Sequence, residues 1–120
     1  MKESIIAKRS FAFGLDIIKM TKVLSRTYEN VVFVRQIIRS ATSIGANIEE
    51  GLGANSKKDF IHCMNIAKKE ARETHYWLRL MEQVNSNTNF TTLLQENQEL
   101  IVMLTSIVKT ADGKLRTHNL

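Results

Sequence analysis

An apolar seam that alternates by four and three residues crosses the middle of this chain. Its members are Phe60, Met64, Ala67, Ala71, Thr74, Leu78 and Met81. At this spacing, a helix can lie nearly parallel to its neighbours in a bundle. The chain contains no proline, a residue that would remove a helical donor and clash with the preceding turn. We therefore expect long helices without interruptions.

Three further stretches repeat the helical period. They run through Ile6, Phe13, Ile17, Met20 and Leu24, through Val34, Ile37, Ala41, Ile44 and Ile48, and through Leu94, Asn97, Ile101, Leu104, Val108 and Ala111. We predict helices over about residues 3–26, 30–51, 56–84 and 90–112, followed by a polar tail. The short connections favour an all-α fold, an antiparallel up-and-down four-helix bundle, as a single domain over residues 1–120.

Local signals mark the expected helix ends. Ser56 and Asp59 have the spacing of a capping box, in which the serine accepts from an exposed amide and the aspartate reaches back. The Gly51-Leu52-Gly53 run is expected to close the second helix through a left-handed glycine. The polar residues 85–89 are typical of a turn, and Asp112-Gly113 is expected to stop the fourth helix.

The cysteine count and the apolar runs indicate a compartment. Cys63 is the only cysteine, so it has no intramolecular partner, which suits a reducing environment. Charged residues interrupt the early apolar residues before a signal-peptide core develops. No apolar run approaches the roughly 20 residues that span a bilayer. We expect a cytoplasmic protein that does not enter the membrane.

The chain lacks the residue patterns of the common metal and catalytic sites. Glu73 and His75 are two residues apart and face different directions on a helix, so they do not form the Glu-x-x-His motif of di-iron bundles. We expect His62 and His75 to lie on the surface, and Cys63 to be a buried, inert thiol. We predict no enzymatic activity, no metal and no cofactor.

Basic residues gather on the side of the third helix opposite its seam. At about 100° per residue, one sector holds Lys58, Lys68, Lys69, Arg72, Tyr76 and Arg79. A cationic stripe with an aromatic ring can contact a phosphate backbone and stack a base, and the net charge of +5 favours polyanions. The alternative is a solvated helix face with local ion pairs such as Lys69–Glu73.

The second helix carries a polar line beside its apolar stripe. The line consists of Arg39, Ser43, Asn47 and Glu50, and it ends at Gly51. Serine and asparagine are mediocre in helix interiors, so we assign this line to packing or subunit assembly, with a ligand site as the alternative. We likewise assign Trp77 to packing or subunit contact.

The runs RSATSIGANIEEG (39–51), SKKDF (56–60) and IAKKEARETHYWL (66–78) resemble the four-helix-bundle proteins encoded in intervening sequences of bacterial 23S ribosomal RNA genes. The core motif covers residues 39–82. It extends to Ser43, Asn47, Ile48, Glu50 and Gly51 in the second helix, and to Ser56, Phe60, Ala67, Glu70 and Glu73 in the third. Unlike many members, this chain has no proline between its first two helices.

The resemblance implies a bundle that assembles into a homo-oligomeric ring, commonly a pentamer. A related branch, the accessory proteins of diversity-generating retroelements, is basic and acts with a reverse transcriptase and nucleic acid. Two functional hypotheses follow. The first is a nucleic-acid-binding accessory protein that binds RNA or DNA, and the second is a scaffold whose assembled ring binds a protein partner.

Overall fold

In a computed structural model of the protein, which describes residues 4–119 and their side chains up to residue 115, every regular element is a helix. The predicted all-α class is therefore confirmed. The helices are α1 (Ile5–Thr21), α2 (Tyr28–Leu52), α3 (Lys57–Val84) and α4 (Thr91–Asn119). Among the described residues, no helix has both the length and the apolarity needed to cross a membrane.

Each helix packs against two others, as expected for four helices at the corners of a square. α1 contacts α2 and α4, while α3 contacts the same two helices from the opposite corner. Asn30 of α2 forms a hydrogen bond with Asn85, just beyond the end of α3, and Ser40 of α2 forms one with Thr74 of α3. Residue numbers along α3 therefore decrease as those along α2 increase. The helices are thus antiparallel, and the predicted up-and-down bundle is confirmed.

The core consists of the predicted seams with two additions. On α3, every seam residue from Met64 to Met81 is buried, and only Phe60 at the start is half-buried. Two large core residues, Phe90 and Leu100, lie outside the predicted stripes. Hydrophobic burial of this kind contributes about 25 cal/mol for each Å² of apolar surface removed from water.

The ends of α2 and α3 show one correct and one incorrect prediction. The Ser56 side chain accepts from the Asp59 amide at 3.1 Å, which confirms the serine half of the predicted capping box; the Asp59 carboxylate does not bond back to Ser56 in the described structure. The left-handed glycine is wrong: Gly53 has φ −93° and ψ 4°, and its amide bonds the carbonyls of Glu49 and Glu50. Gly51 lies inside α2, where the reason for a glycine is space, since an added Cβ would be 2.9 Å from the Cys63 Cβ.

The connection between α1 and α2 is longer than predicted. α1 ends at Thr21 rather than near residue 26, because the chain tightens into i→i−3 bonds such as Val23 to Met20. α2 begins at Tyr28 because Thr27 caps it by accepting from the amide of Asn30. The proposed start of the first helix at residue 3 lies outside the described residues.

The fourth helix does not stop at Asp112-Gly113, so this prediction is wrong. α4 continues to Asn119, and no glycine among the described residues has a positive φ. A glycine inside a helix costs only about 1 kcal/mol relative to alanine, and no proline follows to exclude a further turn. The predicted turn at residues 85–89 is confirmed.

Candidate nucleic-acid interface

The groove between α2 and α3 is closed by an ion-pair network. Arg39 donates to Glu70 at 3.3 Å and also to Glu73, and the Trp77 indole donates to Glu73 at 3.0 Å. The Trp77 hydrogen bond and the Arg39 contacts hold the pKa of Glu73 below its ordinary value. Both acids on this side of α3 are therefore paired with α2.

The groove between α1 and α4 is closed in the same way. Arg9 forms a bidentate pair with Glu96, at 3.0 Å from Nε and 2.5 Å from Nη2, and Nη2 also reaches Glu99 at 3.1 Å. Hydrogen bonds to these carboxylates raise the pKa of Arg9 above its ordinary value. The two acids in the first half of α4 therefore face α1, away from α3.

The groove between α3 and α4 differs because no ion pair closes it in the described part of the chain. It is an open cleft of about 340 Å³ lined by Arg72, His75, Tyr76, Arg79, Gln98 and Ile101. Within the described residues, neither arginine forms an ion pair. The nearest acid along this side of α3 is Glu82, which likewise has no ion pair in the described part of the chain. We call this cleft the basic groove.

Tyr76 is the aromatic centre of the basic groove. It is 48% exposed, and the Arg79 Cζ lies 5.9 Å from its ring centroid. The Trp77 ring meets the Tyr76 ring edge-on, with centroids 5.3 Å apart. A guanidinium next to an accessible ring is attracted by the ring quadrupole, and both groups can stack on planar ligands. The groove thus combines cations with a stacking surface.

The structure brings together half of the predicted basic face. Arg72, Tyr76 and Arg79 share the basic groove, and Lys68 lies half-buried one turn before Arg72. Lys58 and Lys69 are exposed but outside the groove. After the larger effects of Trp77 and Arg39, the Lys69 charge lowers the pKa of Glu73 slightly. No Lys69–Glu73 ion pair of the alternative interpretation forms in the described part of the chain.

Three residues of the basic groove were not predicted as binding residues, namely His75, Gln98 and Ile101, and Ile101 was predicted only for the apolar seam of the fourth helix. His75 is half-buried in the groove rather than on the surface, because its side of α3 faces α4, while His62 is exposed as predicted. Gln98 comes from the neutral side of α4, where no charge pattern marks it.

The polar line of α2 is satisfied largely within its own helix. Ser43 donates to the Arg39 carbonyl at 2.7 Å, and Asn47 donates to the Ser43 carbonyl at 2.8 Å. Glu50 is exposed, and Gly51 is buried at the contact with α3. Arg39 is the member that reaches across to another helix. Trp77 packs against the core and lies 6.3 Å from Phe33 between ring centroids.

The groove between α1 and α2 is apolar and open. Its lining includes Phe11, 67% exposed, and Leu15, 44% exposed, above the small residues Gly14 and Gly45. Large exposed apolar side chains in one cleft are typical of contact surfaces. We call this cleft the apolar groove. The four sides of the bundle therefore comprise two sides closed by ion pairs, one basic groove and one apolar groove.

No alternative chemical centre emerges in the described part of the chain. The side chains described up to residue 115 include no group of three or more His, Cys, Asp or Glu residues placed to hold a metal ion. The thiol of Cys63 is half-buried, not buried as predicted. It lies opposite Gly51, which has no side chain to cover it.

Fold and surface together define a basic, all-α bundle protein with one cationic and one apolar groove. Residues 2–106 match the model of the 23S rRNA-intervening sequence protein family, and the chain belongs to that family. A solved structure from Bacteroides thetaiotaomicron VPI-5482, a protein of unknown function from the S23 ribosomal protein family, is similar at 38% identity and a TM-score of 0.80. The match covers 88% of this chain and 99% of that one.

No curated protein matches the chain. The family and the solved relative carry no enzymatic designation, and the relative's function is unknown. The comparisons thus support the four-helix architecture across nearly the whole chain.

Proposed function

We propose that this protein is a non-enzymatic, cytoplasmic, nucleic-acid-binding accessory protein that associates with RNA and acts as a homo-oligomer. The observation that carries the proposal is the distribution of charge. Arg39 and Arg9 pair with acids on the other sides of α3 and α4, whereas Arg72 and Arg79 have no ion pair in the described structure. An accessible, unneutralised cationic cleft attracts polyanions.

Electrostatics and the family context support the same proposal. Seventeen Lys and Arg against twelve Asp and Glu give a net charge of +5, so the positive potential of the basic groove is not cancelled by the whole molecule. The family takes its name from the 23S rRNA intervening sequence. A ring of subunits would repeat the groove, and linked weak sites bind a long polymer far more tightly than one site does.

The first prediction concerns the charge of the basic groove. The triple variant Lys68→Glu, Arg72→Glu, Arg79→Glu is expected to weaken RNA binding by roughly 100-fold or more at low salt, because phosphate contacts and their counterion release are lost. Fluorescence anisotropy with a labelled RNA measures the Kd across a salt series. The slope of log Kd against log salt should become shallower by about one for each lost contact.

A matched triple variant controls for net charge. Lys19→Glu, Lys22→Glu, Arg35→Glu changes the charge equally, at exposed positions of α1, α2 and their connection. We expect this variant to bind RNA within a few-fold of the wild type. An equal loss of RNA affinity in both triple variants would show that binding depends on net charge and not on the basic groove. Absence of RNA and DNA binding by the wild type at low salt would contradict the proposed function itself.

The apolar groove favours a second candidate function, a protein-interaction scaffold that assembles as a homo-oligomeric ring. We assign this groove to contact with another copy of the chain. Phe11 and Leu15 protrude beside Gly14 and Gly45, so a helix of the second copy could approach closely. Apolar side chains anchored in a cleft dominate the energetics of such contacts.

The second prediction is that Phe11→Glu with Leu15→Glu yields monomers that keep the helical content of the wild type. Burying two carboxylates in an interface is prohibitive, whereas they are solvated in the monomer. Light scattering on a sizing column gives the mass. For the wild type we expect a multiple of 13.7 kDa, five-fold by family resemblance. Val23→Glu, at a position 73% exposed outside the apolar groove, should leave the mass unchanged.

A double variant that keeps the wild-type mass would exclude the apolar groove as the assembly surface. Binding assays on the same variants separate the two candidate functions. A nucleic-acid-binding ring loses avidity on dissociation but keeps its basic groove, so RNA binding persists weakly. A pure scaffold binds a protein from a nuclease-treated lysate in stoichiometric amount, and its RNA binding is absent in every variant.

A further inference from the structure

The composition of the basic groove is more specific than a general affinity for phosphate. On the basis of the proposed function, we infer that the groove binds single-stranded nucleic acid, with one base stacked on Tyr76 and the backbone phosphates held by Arg72 and Arg79. The substrate class is therefore an unpaired strand of RNA or DNA rather than a duplex.

The spacing along α3 supports this arrangement. Arg72 and Arg79 flank Tyr76 by four and three residues, so all three side chains lie on one side of the helix. At 1.5 Å rise per residue, the two arginines are roughly 10 Å apart along the axis, with the ring between them. Phosphates on either side of a stacked nucleotide would then each meet a guanidinium.

The ring itself is available for stacking. Tyr76 is half exposed, its ring packs in a T-shaped arrangement with Trp77, and Arg79 lies over the ring at 5.9 Å, so a base can stack beside the guanidinium. Aromatic side chains stack on any base because every base has a π-face, and arginine adds a cation–π contribution. A base within a duplex has both faces covered by its neighbours, so it cannot use this surface unless it leaves the stack.

The opposite wall of the groove can contact the edge of a stacked base. The Gln98 side-chain amide carries donors and an acceptor and forms no hydrogen bond with another residue in the described part of the chain. Ile101 provides an apolar wall beside it.

The test compares Kd values for three labelled probes: an unstructured single-stranded RNA, the same RNA annealed to its complement, and the equivalent single-stranded DNA. We expect both single strands to bind the wild type at least tenfold more tightly than the duplex at the same salt. Tyr76→Leu should weaken single-strand binding about tenfold, corresponding to ~1.4 kcal/mol, and leave duplex binding within twofold. Tyr76→Phe retains the ring and should bind like the wild type.

One control variant and one fluorescence measurement accompany the Kd measurements. Tyr28→Leu removes another tyrosine, 85% exposed on α2 and outside the basic groove, and should leave all three Kd values unchanged. Trp77, the only tryptophan, contacts the Tyr76 ring, so its fluorescence should change on single-strand binding by the wild type and by Tyr76→Phe. Thermal unfolding followed by circular dichroism verifies that each variant is folded.

The outcomes separate the inference from the proposed function. If single strands and duplex bind equally and Tyr76→Leu has no effect, the stacking inference is overturned, while loss of binding in the Arg72 and Arg79 reversals still supports the proposed function. If the single-stranded RNA binds and the single-stranded DNA does not, the inference is supported, and the protein also recognises the 2′-hydroxyl. Absence of binding to all three probes contradicts both.

Discussion

Gly51→Val is expected to lower the free energy of unfolding by about 3 kcal/mol, at the upper end of the overpacking range. A Cβ at this position would lie 2.9 Å from the Cys63 Cβ and 3.0 Å from the Met64 Cε. The methionine end can swing away, but the Cβ of Cys63 moves only if α3 moves. The variant therefore has to separate α2 from α3 near the loop that joins them.

Chemical denaturation followed by circular dichroism measures this effect, and Gly113→Ala is its matched control. Gly113 lies inside α4, outside both grooves, and a Cβ added there meets nothing within 4 Å. Because alanine is the better helix former, this substitution should raise stability by roughly 0.5–1 kcal/mol. Equal stabilities of Gly51→Val and the wild type would show that α2 and α3 are less closely packed than described.

Asn97→Asp is expected to lower the free energy of unfolding by about 3–5 kcal/mol at neutral pH, because it buries an unpaired charge. Asn97 is completely buried, its amide donates to the Ala71 carbonyl at 3.1 Å, and its Oδ1 has no protein partner. An ionised carboxylate would face that carbonyl without a donor. The loss is a large fraction of the roughly 5–15 kcal/mol typical of a domain.

The pH dependence of this loss has a definite sign. In the Asn97→Asp variant, burial would raise the pKa of the new carboxyl in the folded state above the ~3.9 of the unfolded chain. Below about pH 4, both states are protonated, and the neutral acid can donate to Ala71 as the amide does. The stability of the variant should therefore approach that of the wild type on acidification and fall as the pH rises.

Denaturation of the wild type, Asn97→Asp and Asn97→Leu at several pH values measures these differences. Asn97→Leu removes the unpaired oxygen, so it should be neutral or stabilising and independent of pH. A constant difference between Asn97→Asp and the wild type across the pH range would mean that water reaches position 97. In that case, the centre of the bundle is less dry than the burial of Asn97 indicates.

The fold was largely predictable because each helix carries a continuous seam and no proline interrupts the chain. Even the polar seam members Thr74 and Asn97 are buried as the period required. Helix ends were less predictable, since they depend on local competition. Gly113 resembles a stop signal but takes a helical conformation, and Asn30, which bonds Asn85 across the bundle end, has no sequence signal of that distant contact.

The candidate site was predictable only in part, because a sequence pattern defines one face of a helix but not the helix that packs opposite it. Helical geometry placed Arg72, Tyr76 and Arg79 on one side of α3, but it did not reveal which helix would face them. Gln98 forms the α4 side of the groove because Arg9 holds Glu96 and Glu99 on the other side of that helix. Such pairing between helices distant in sequence depends on the three-dimensional arrangement.

We propose that the protein binds nucleic acid in the basic groove. The most direct measurement is an NMR titration of the isotopically labelled protein with an unstructured single-stranded RNA. We predict that the largest shift changes belong to the backbone of Arg72, Tyr76 and Arg79 and to the side-chain amide of Gln98, with small changes at Phe11. Changes concentrated in the apolar groove, or the absence of changes at RNA excess, would contradict the account.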